Sequence, residues 1–105
     1  MIKTSWLMQN IIATLAVSTF VGTTRPRKSF HINGKVSAST GAATVTVLGS
    51  NDGGVTWVVV TTLSLTLGTT LTTAGYFTDA AYQYWAFGVT AISGTNATVN
   101  GYFGN

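Results

Sequence analysis

An all-β fold, an antiparallel β-sandwich behind an extended N-terminal arm, is predicted by three observations on the sequence. Apolar and polar residues alternate over seven or eight short segments, the signature of half-buried strands. Clusters of Gly, Ser, Thr and Asn separate these segments at the spacing of sandwich turns. No stretch between them carries the 3.6-residue period of a helix, and Thr, Val and aromatic residues, which favour pleated sheet, dominate the composition.

The chain has 105 residues, enough for one domain with a modest core. Its 7% of charged residues against 46% hydrophobic leaves a surface with little self-repulsion, which predicts cover by a partner, by copies of the same chain, or by both. Cysteine is absent, so disulfides, thiolate nucleophiles and Cys-based metal sites are excluded. Lys3, Arg25, Arg27, Lys28 and Lys35 lie in residues 1–35, whereas Asp52 and Asp79 lie beyond them. A basic segment leading into a nearly neutral domain predicts docking on an acidic surface. Nucleic acid is not the expected partner, because Arg25-Pro26-Arg27-Lys28 is the one basic cluster and lacks interleaved aromatics.

In chain order, the apolar run from Trp6 to Val21 is interrupted by Gln9 and Asn10, and what remains is shorter than the roughly 20 residues a spanning helix needs. Ala16-Val17-Ser18 offers a small-residue site of the kind signal peptidases cut. The shared parity of Ile11, Ala13, Leu15, Val17 and Val21 favours instead an extended arm or strand; the arm is taken as residues 1–27 and the sandwich domain as 28–105, with no membrane partner. Pro26 separates the arm from the first strand of the domain. Phe30, Ile32, Gly34, Val36 and Ala38 then form a buried face, opposite a wet face of Ser29, His31, Asn33, Lys35 and Ser37.

Ser39-Thr40-Gly41 is expected to turn the chain into a strand burying Ala43, Val45 and Val47, with Thr44 and Thr46 outward. After a turn at 49–57, Val59, Leu63, Leu65 and Leu67 share a face, and a bend near Thr61-Thr62 is expected to carry the strand from one sheet to the other. Gly68-Thr69-Thr70 turns the chain, a short strand comes next around Leu71, and residues 75–81 read as a connection. Tyr82 to Ile92 is apolar on both parities, which predicts a central strand. A turn at 93–96 leads to a last strand with Ala97, Val99 and Phe103 on one side and Thr98, Asn100 and Tyr102 on the other.

The inventory for catalysis is thin: one histidine and two carboxylates. His31 stands on the polar parity of its strand and reads as a surface histidine. A triad of His31 with Asp52 or Asp79 has no nucleophile-elbow or oxyanion-loop signal. Zinc, calcium and transition-metal ligand sets are missing, as are phosphate-loop and dinucleotide patterns. No enzyme activity, metal or cofactor is expected. Tyr76, Phe77, Tyr82, Tyr84 and Trp85 form a candidate interface set, with a sugar-stacking platform as the alternative. Alternation sets Trp85 and Phe87 against Tyr82 and Tyr84, so one pair should be core and the other near the surface.

Ser50, Asp52, Gly54, Thr56 and Trp57 match the Asp-box pattern Ser-x-Asp-x-Gly-x-Thr-Trp at each fixed position. In Asp-box proteins, many of them sialidases and other β-propellers, the motif forms a hairpin turn, usually away from the catalytic centre. The residue chemistry agrees: the carboxylate caps backbone amides, glycines supply positive φ, and the Trp is expected to anchor the outgoing strand in the core.

More widely, Lys28-Ser29-Phe30-His31-Ile32-Asn33-Gly34, Gly49-Ser50-Asn51-Asp52-Gly53-Gly54, Gly75-Tyr76-Phe77-Thr78-Asp79-Ala80 and Val89-Thr90-Ala91-Ile92-Ser93-Gly94-Thr95 resemble segments of small virion proteins of tailed phages. Among these the chain is most similar to capsid decoration proteins, also called cement or staple proteins. The resemblance implies a jelly-roll-like sandwich and a non-enzymatic protein on the capsid exterior, binding the major capsid protein and copies of itself as a dimer or trimer. It implies an arm laid across neighbouring capsid subunits. Trp6, Leu7, Ile11, Ile12, Leu15 and Phe20 would be buried there, and Arg25, Arg27 and Lys28 would face acidic groups. Such an arm is expected to be disordered when free. Tail, neck or fibre components, and a carbohydrate-binding or adhesion module, are the alternatives.

Overall fold

In a computed structural model, which describes residues 4–23 and 27–104, the described chain is two four-stranded antiparallel sheets packed face to face. The strands are β1 (Thr4–Ile11), β2 (Val21–Gly22), β3 (Lys28–Lys35), β4 (Ala38–Ser50), β5 (Val58–Leu67), β6 (Thr72–Thr78), β7 (Tyr84–Thr95) and β8 (Thr98–Gly104). The first sheet runs β1-β8-β3-β6 and the second β2-β7-β4-β5. The pairs are nested: β4 with β5, β3 with β6, β2 with β7 and β1 with β8. This is one long hairpin, its tip at residues 51–57, rolled up so that β3 meets β8 and β4 meets β7. The result is the jelly-roll form of the sandwich.

Alternation decides which face each strand buries. Phe30 and Ile32 from β3, Val45 and Val47 from β4, Leu65 and Leu67 from β5, Trp85 and Phe87 from β7, and Val99 and Phe103 from β8 meet between the sheets. The Phe30 ring is the hub, with centroids of Trp85 and Phe103 at 5.2 Å and of Phe87 at 5.7 Å. Trp85 and Phe87 are therefore the core pair of β7, and Tyr82 and Tyr84 are half-buried at its margin.

The largest correction concerns the N-terminal arm. Its described part is built into both sheets: β1 is the outer strand beside β8, with Leu7 and Met8 in the core. Residues 15–23 then run antiparallel to β7, through Leu15 to Val89, Ser18 to Phe87, Val21 to Trp85 and Thr23 to Gln83. Among the described residues, the apolar parity read as anchors for a partner is spent on the chain's own sheets.

Four local expectations also change. Ser39, Thr40 and Gly41 lie inside β4, where a register shift between Ala38 and Ala42 absorbs the positive φ of Ser39 (60°), and the chain reverses earlier, around Val36 and Ser37. β5 stays in one sheet throughout. A bulge skips Val60, so parity flips there: Leu65 and Leu67 point inward and Leu63 packs against the core, but Val59 is 57% exposed. Residues 75–78, read as connection, are the second half of β6, paired with β3 in seven consecutive steps. Thr46 and Asn33, expected in water, are buried. Thr46 donates to the Gly88 carbonyl at 3.4 Å, and the Asn33 amide is held between Asn100 and Tyr102.

Candidate functional site

The turn between β4 and β5 is organised by two side chains. Ser50 is buried at the end of β4; its hydroxyl accepts the amides of Asp52 and Gly54 at 3.3 and 3.1 Å and donates to Asp52 Oδ1 at 2.7 Å. Asp52 in turn accepts the amides of Val55 and Thr56, at 3.1 and 2.9 Å, and the Thr56 hydroxyl. The Thr56 hydroxyl first, then its amide and the Ser50 hydroxyl, hold the Asp52 carboxyl well below the usual carboxylate range. Gly53 and Gly54 supply φ of 78° and 90°. Every polar atom of this exposed carboxylate thus serves the turn.

Trp57 departs from expectation. It is half-buried rather than in the core, edge-on to Phe20 at 5.4 Å, and Phe20 is edge-on to Tyr84 at 5.9 Å. A Cβ on Gly54 would come within 3.0 Å of the Phe20 ring, so the turn and the 15–23 segment brace each other.

The residues expected to contact a capsid separate into three groups. Leu7 is buried, and Ile11 and Leu15 pack against the core. Trp6, Ile12 and Phe20 are exposed, at 50%, 72% and 49%, and Arg27 is exposed as well. Lys28 is buried: its Nζ donates to the Ala80 carbonyl at 2.6 Å and lies 5.6 Å from the centre of a Trp85 ring. It braces the core from inside. Arg25 lies outside the described residues.

The aromatic set divides too. Trp85 is inaccessible, with Nε1 donating to the Tyr82 carbonyl at 3.0 Å. Tyr82 covers it edge-on at 5.6 Å, and Tyr76 leans on Phe30. Phe77 stands out at 79% exposure. Val55 and Val58 are surface residues that the sequence did not single out, and Leu71, read as the centre of a short strand, lies just before β6; each is at least half exposed.

The two sides of the sandwich differ in how their edges are guarded. On one side β1 has two register shifts and a positive φ at Asn10, and β2 is two residues long. On the other side β5 and β6 are ten and seven residues long, with one bulge and none. From Gly53 to Thr78 the sequence holds neither charge nor proline, the usual devices that keep a free edge from pairing. Among the described residues no group of three or more His, Asp or Glu side chains could hold a metal ion, and no helix is long and apolar enough to cross a membrane.

No family model matches the chain, and no curated protein sequence matches it. Solved structures do share its fold. The SPBc2 prophage-derived protein YomS superposes with a TM-score of 0.57 at 14% identity, over 99% of this chain and 93% of that one. A chain of the Bacillus endospore appendages, described as a novel family of disulfide-linked pili, superposes with a TM-score of 0.54 at 18% identity, over 99% of this chain and 84% of that one. A chain from work on CBM4 structure and function reaches 0.48 at 13% identity, over 81% of this chain and 53% of that one. At these identities the likeness is one of fold, and the chain is an antiparallel β-sandwich similar to those of a prophage-derived protein and a pilus subunit.

Proposed function

We propose that this protein is a non-enzymatic structural component of a phage particle, seated on the outside of the capsid as a decoration protein that ties neighbouring subunits together. The observation that carries the reading is the unguarded side. Two long, uncharged edge strands, with a single bulge between them, lie together at one flank, while the opposite flank is blunted. An edge of this kind is a template for strand addition. Val58 and Val59, exposed at the start of β5, supply apolar contact beside it. The occupants would be the major capsid protein and further copies of this chain. Neither a cofactor nor nucleic acid enters the reading.

The seat is a preformed surface and not a segment that orders on docking, because the N-terminal strands are already paired within the sandwich. The folds shared with a prophage-derived protein and with a pilus subunit support a role in assembly. The test is the copy number of the protein relative to the major capsid protein in purified particles, by quantitative mass spectrometry. Near-stoichiometric amounts are expected. A few copies per particle would assign it to tail, neck or fibre instead, and absence from particles would overturn the reading.

A further inference from the structure

The outer face of the first sheet carries a row that crosses all four strands. The registers align Trp6 with Tyr102, Tyr102 with His31, and His31 with Gly75. Three of these positions hold rings: Trp6 and Tyr102 have centroids 4.3 Å apart at 53°, and Tyr102 and His31 are stacked at 4.6 Å and 12°. The fourth position, on β6, holds a hydrogen atom. One face of the imidazole is therefore covered by Tyr102, and on its other side the row continues over a glycine with nothing to fill it.

Below that gap the next row is Gly104, Ser29 and Phe77. Two small residues and one projecting ring make a depression of about 440 Å³, with His31 and Tyr102 on one side and Phe77 on another. Above it the next row is Asn100, Asn33 and Thr73, joined by hydrogen bonds: the Asn10 amide to Asn100 Oδ1 at 2.8 Å, Asn100 Nδ2 to Asn33 Oδ1 at 2.9 Å, and Asn33 Nδ2 to the Tyr102 hydroxyl at 3.3 Å. This chain of donors occupies one lone pair of the Tyr102 oxygen and leaves its proton to donate elsewhere. The Ser29 hydroxyl donates to the Gly104 carbonyl at 3.2 Å and so keeps acceptor capacity.

We propose that this depression is a binding site for a neutral pyranose, with the sugar ring lying over Gly75 between His31 and Phe77. Three features select that class. The gap is one ring wide in a row of rings, which suits a flat group with an apolar face. Of the two hydroxyl-bearing lining residues, Ser29 keeps acceptor capacity and Tyr102, whose oxygen is held by Asn33 in the row above, keeps a proton; sugar hydroxyls, each both donor and acceptor, can meet either kind. Among the described residues no lysine, arginine or carboxylate lines the depression, so none of them selects an ionic ligand. An aromatic side chain from a partner would fill the slot but leave both hydroxyls unanswered. The site stands apart from the capsid reading and survives its failure, since a glycan-binding face fits a virion protein or a free one.

The test is an amide and aromatic NMR titration of the whole chain with maltohexaose, cellohexaose, chitohexaose, mannohexaose and a galactan, each at millimolar concentration. At least one is expected to shift resonances of Ser29, His31, Gly75, Phe77 and Tyr102 together. Gly75→Val fills the slot; a Cβ at Gly75 meets nothing closer than the Phe30 carbonyl at 3.5 Å, so the strand accepts it. It is expected to weaken binding at least about tenfold while resonances of the core keep their positions, and Phe77→Ala, which leaves the slot open, is expected to weaken it by about the same factor through lost ring contact. Absence of shifts with every glycan, shifts confined to other residues, or full affinity in both variants would overturn the proposal. A response at these residues to an aromatic peptide alone would overturn it too.

Discussion

The Ser18 hydroxyl accepts the amide of Phe87 at 2.9 Å, while the Ser18 amide donates to the Phe87 carbonyl at 2.8 Å and its hydroxyl proton goes to the Thr19 carbonyl at 2.8 Å. A side chain here completes a backbone ladder that the irregular segment before β2 could not complete alone. Both residues are buried, so Ser18→Ala leaves the Phe87 amide without a partner. The expected loss is about 1–3 kcal/mol, read as a fall in the urea midpoint with an unchanged slope.

Asp52 sets the acid side of the stability curve. Its carboxyl titrates well below its ordinary value of 3.8 in the folded chain, first through the Thr56 hydroxyl. A depressed folded value adds stability that is fully present above the unfolded value and is lost as pH falls below it. Asp52→Asn is therefore expected to lower the urea midpoint at neutral pH, and the gap between the two proteins should narrow as pH falls below 3.8.

Close backbone approach at Gly41 can be separated from ordinary loop freedom at Gly68. A Cβ on Gly41 would sit 2.1 Å from the Ser93 carbonyl oxygen, a main-chain atom of the neighbouring strand, whereas one on Gly68 meets nothing nearer than 3.8 Å. Gly41→Ala is expected to cost about 2–3 kcal/mol, and Gly68→Ala to stay within about 0.5 kcal/mol, in the same denaturation assay.

The unguarded flank gives a prediction for assembly. Thr62 and Ser64 are exposed on β5, and lysine at both positions places two like charges along the free edge at little cost to the fold. The double variant Thr62→Lys, Ser64→Lys is expected to melt like the parent but to lose binding to particles lacking the protein, measured by co-sedimentation. Binding at parental affinity would remove β5 from the contact.

What was legible in the sequence is what depends on neighbours along the chain. The alternation of Phe30, Ile32 and Gly34 gives the buried face of β3 and reaches Val36 beyond it, but Ala38, expected on the same face, is exposed because the chain has reversed by then; the opposite parity of Trp85 and Tyr84 separates core from margin. The residue types of the 50–57 turn announce their hydrogen bonds. Position across the sheets was not legible. The parity of Ile11 and Leu15 says that one side of the segment is buried, but not whether against this chain or another. Likewise the row of Trp6, Tyr102, His31 and Gly75 draws one residue from each of four distant strands, and no local pattern marks it. Val59 shows a third limit: one bulged residue reverses the parity of everything before it.

Nested pairing has a covalent consequence. The outermost pair sets Thr4 directly against Gly104, so the first and last described strands finish at the same corner of the sandwich. A few residues bridging these positions would cyclise the fold without bending a strand, and would act on the unfolded chain by denying it the freedom of separate ends. The same adjacency makes this corner a place where two appended peptides would be held side by side.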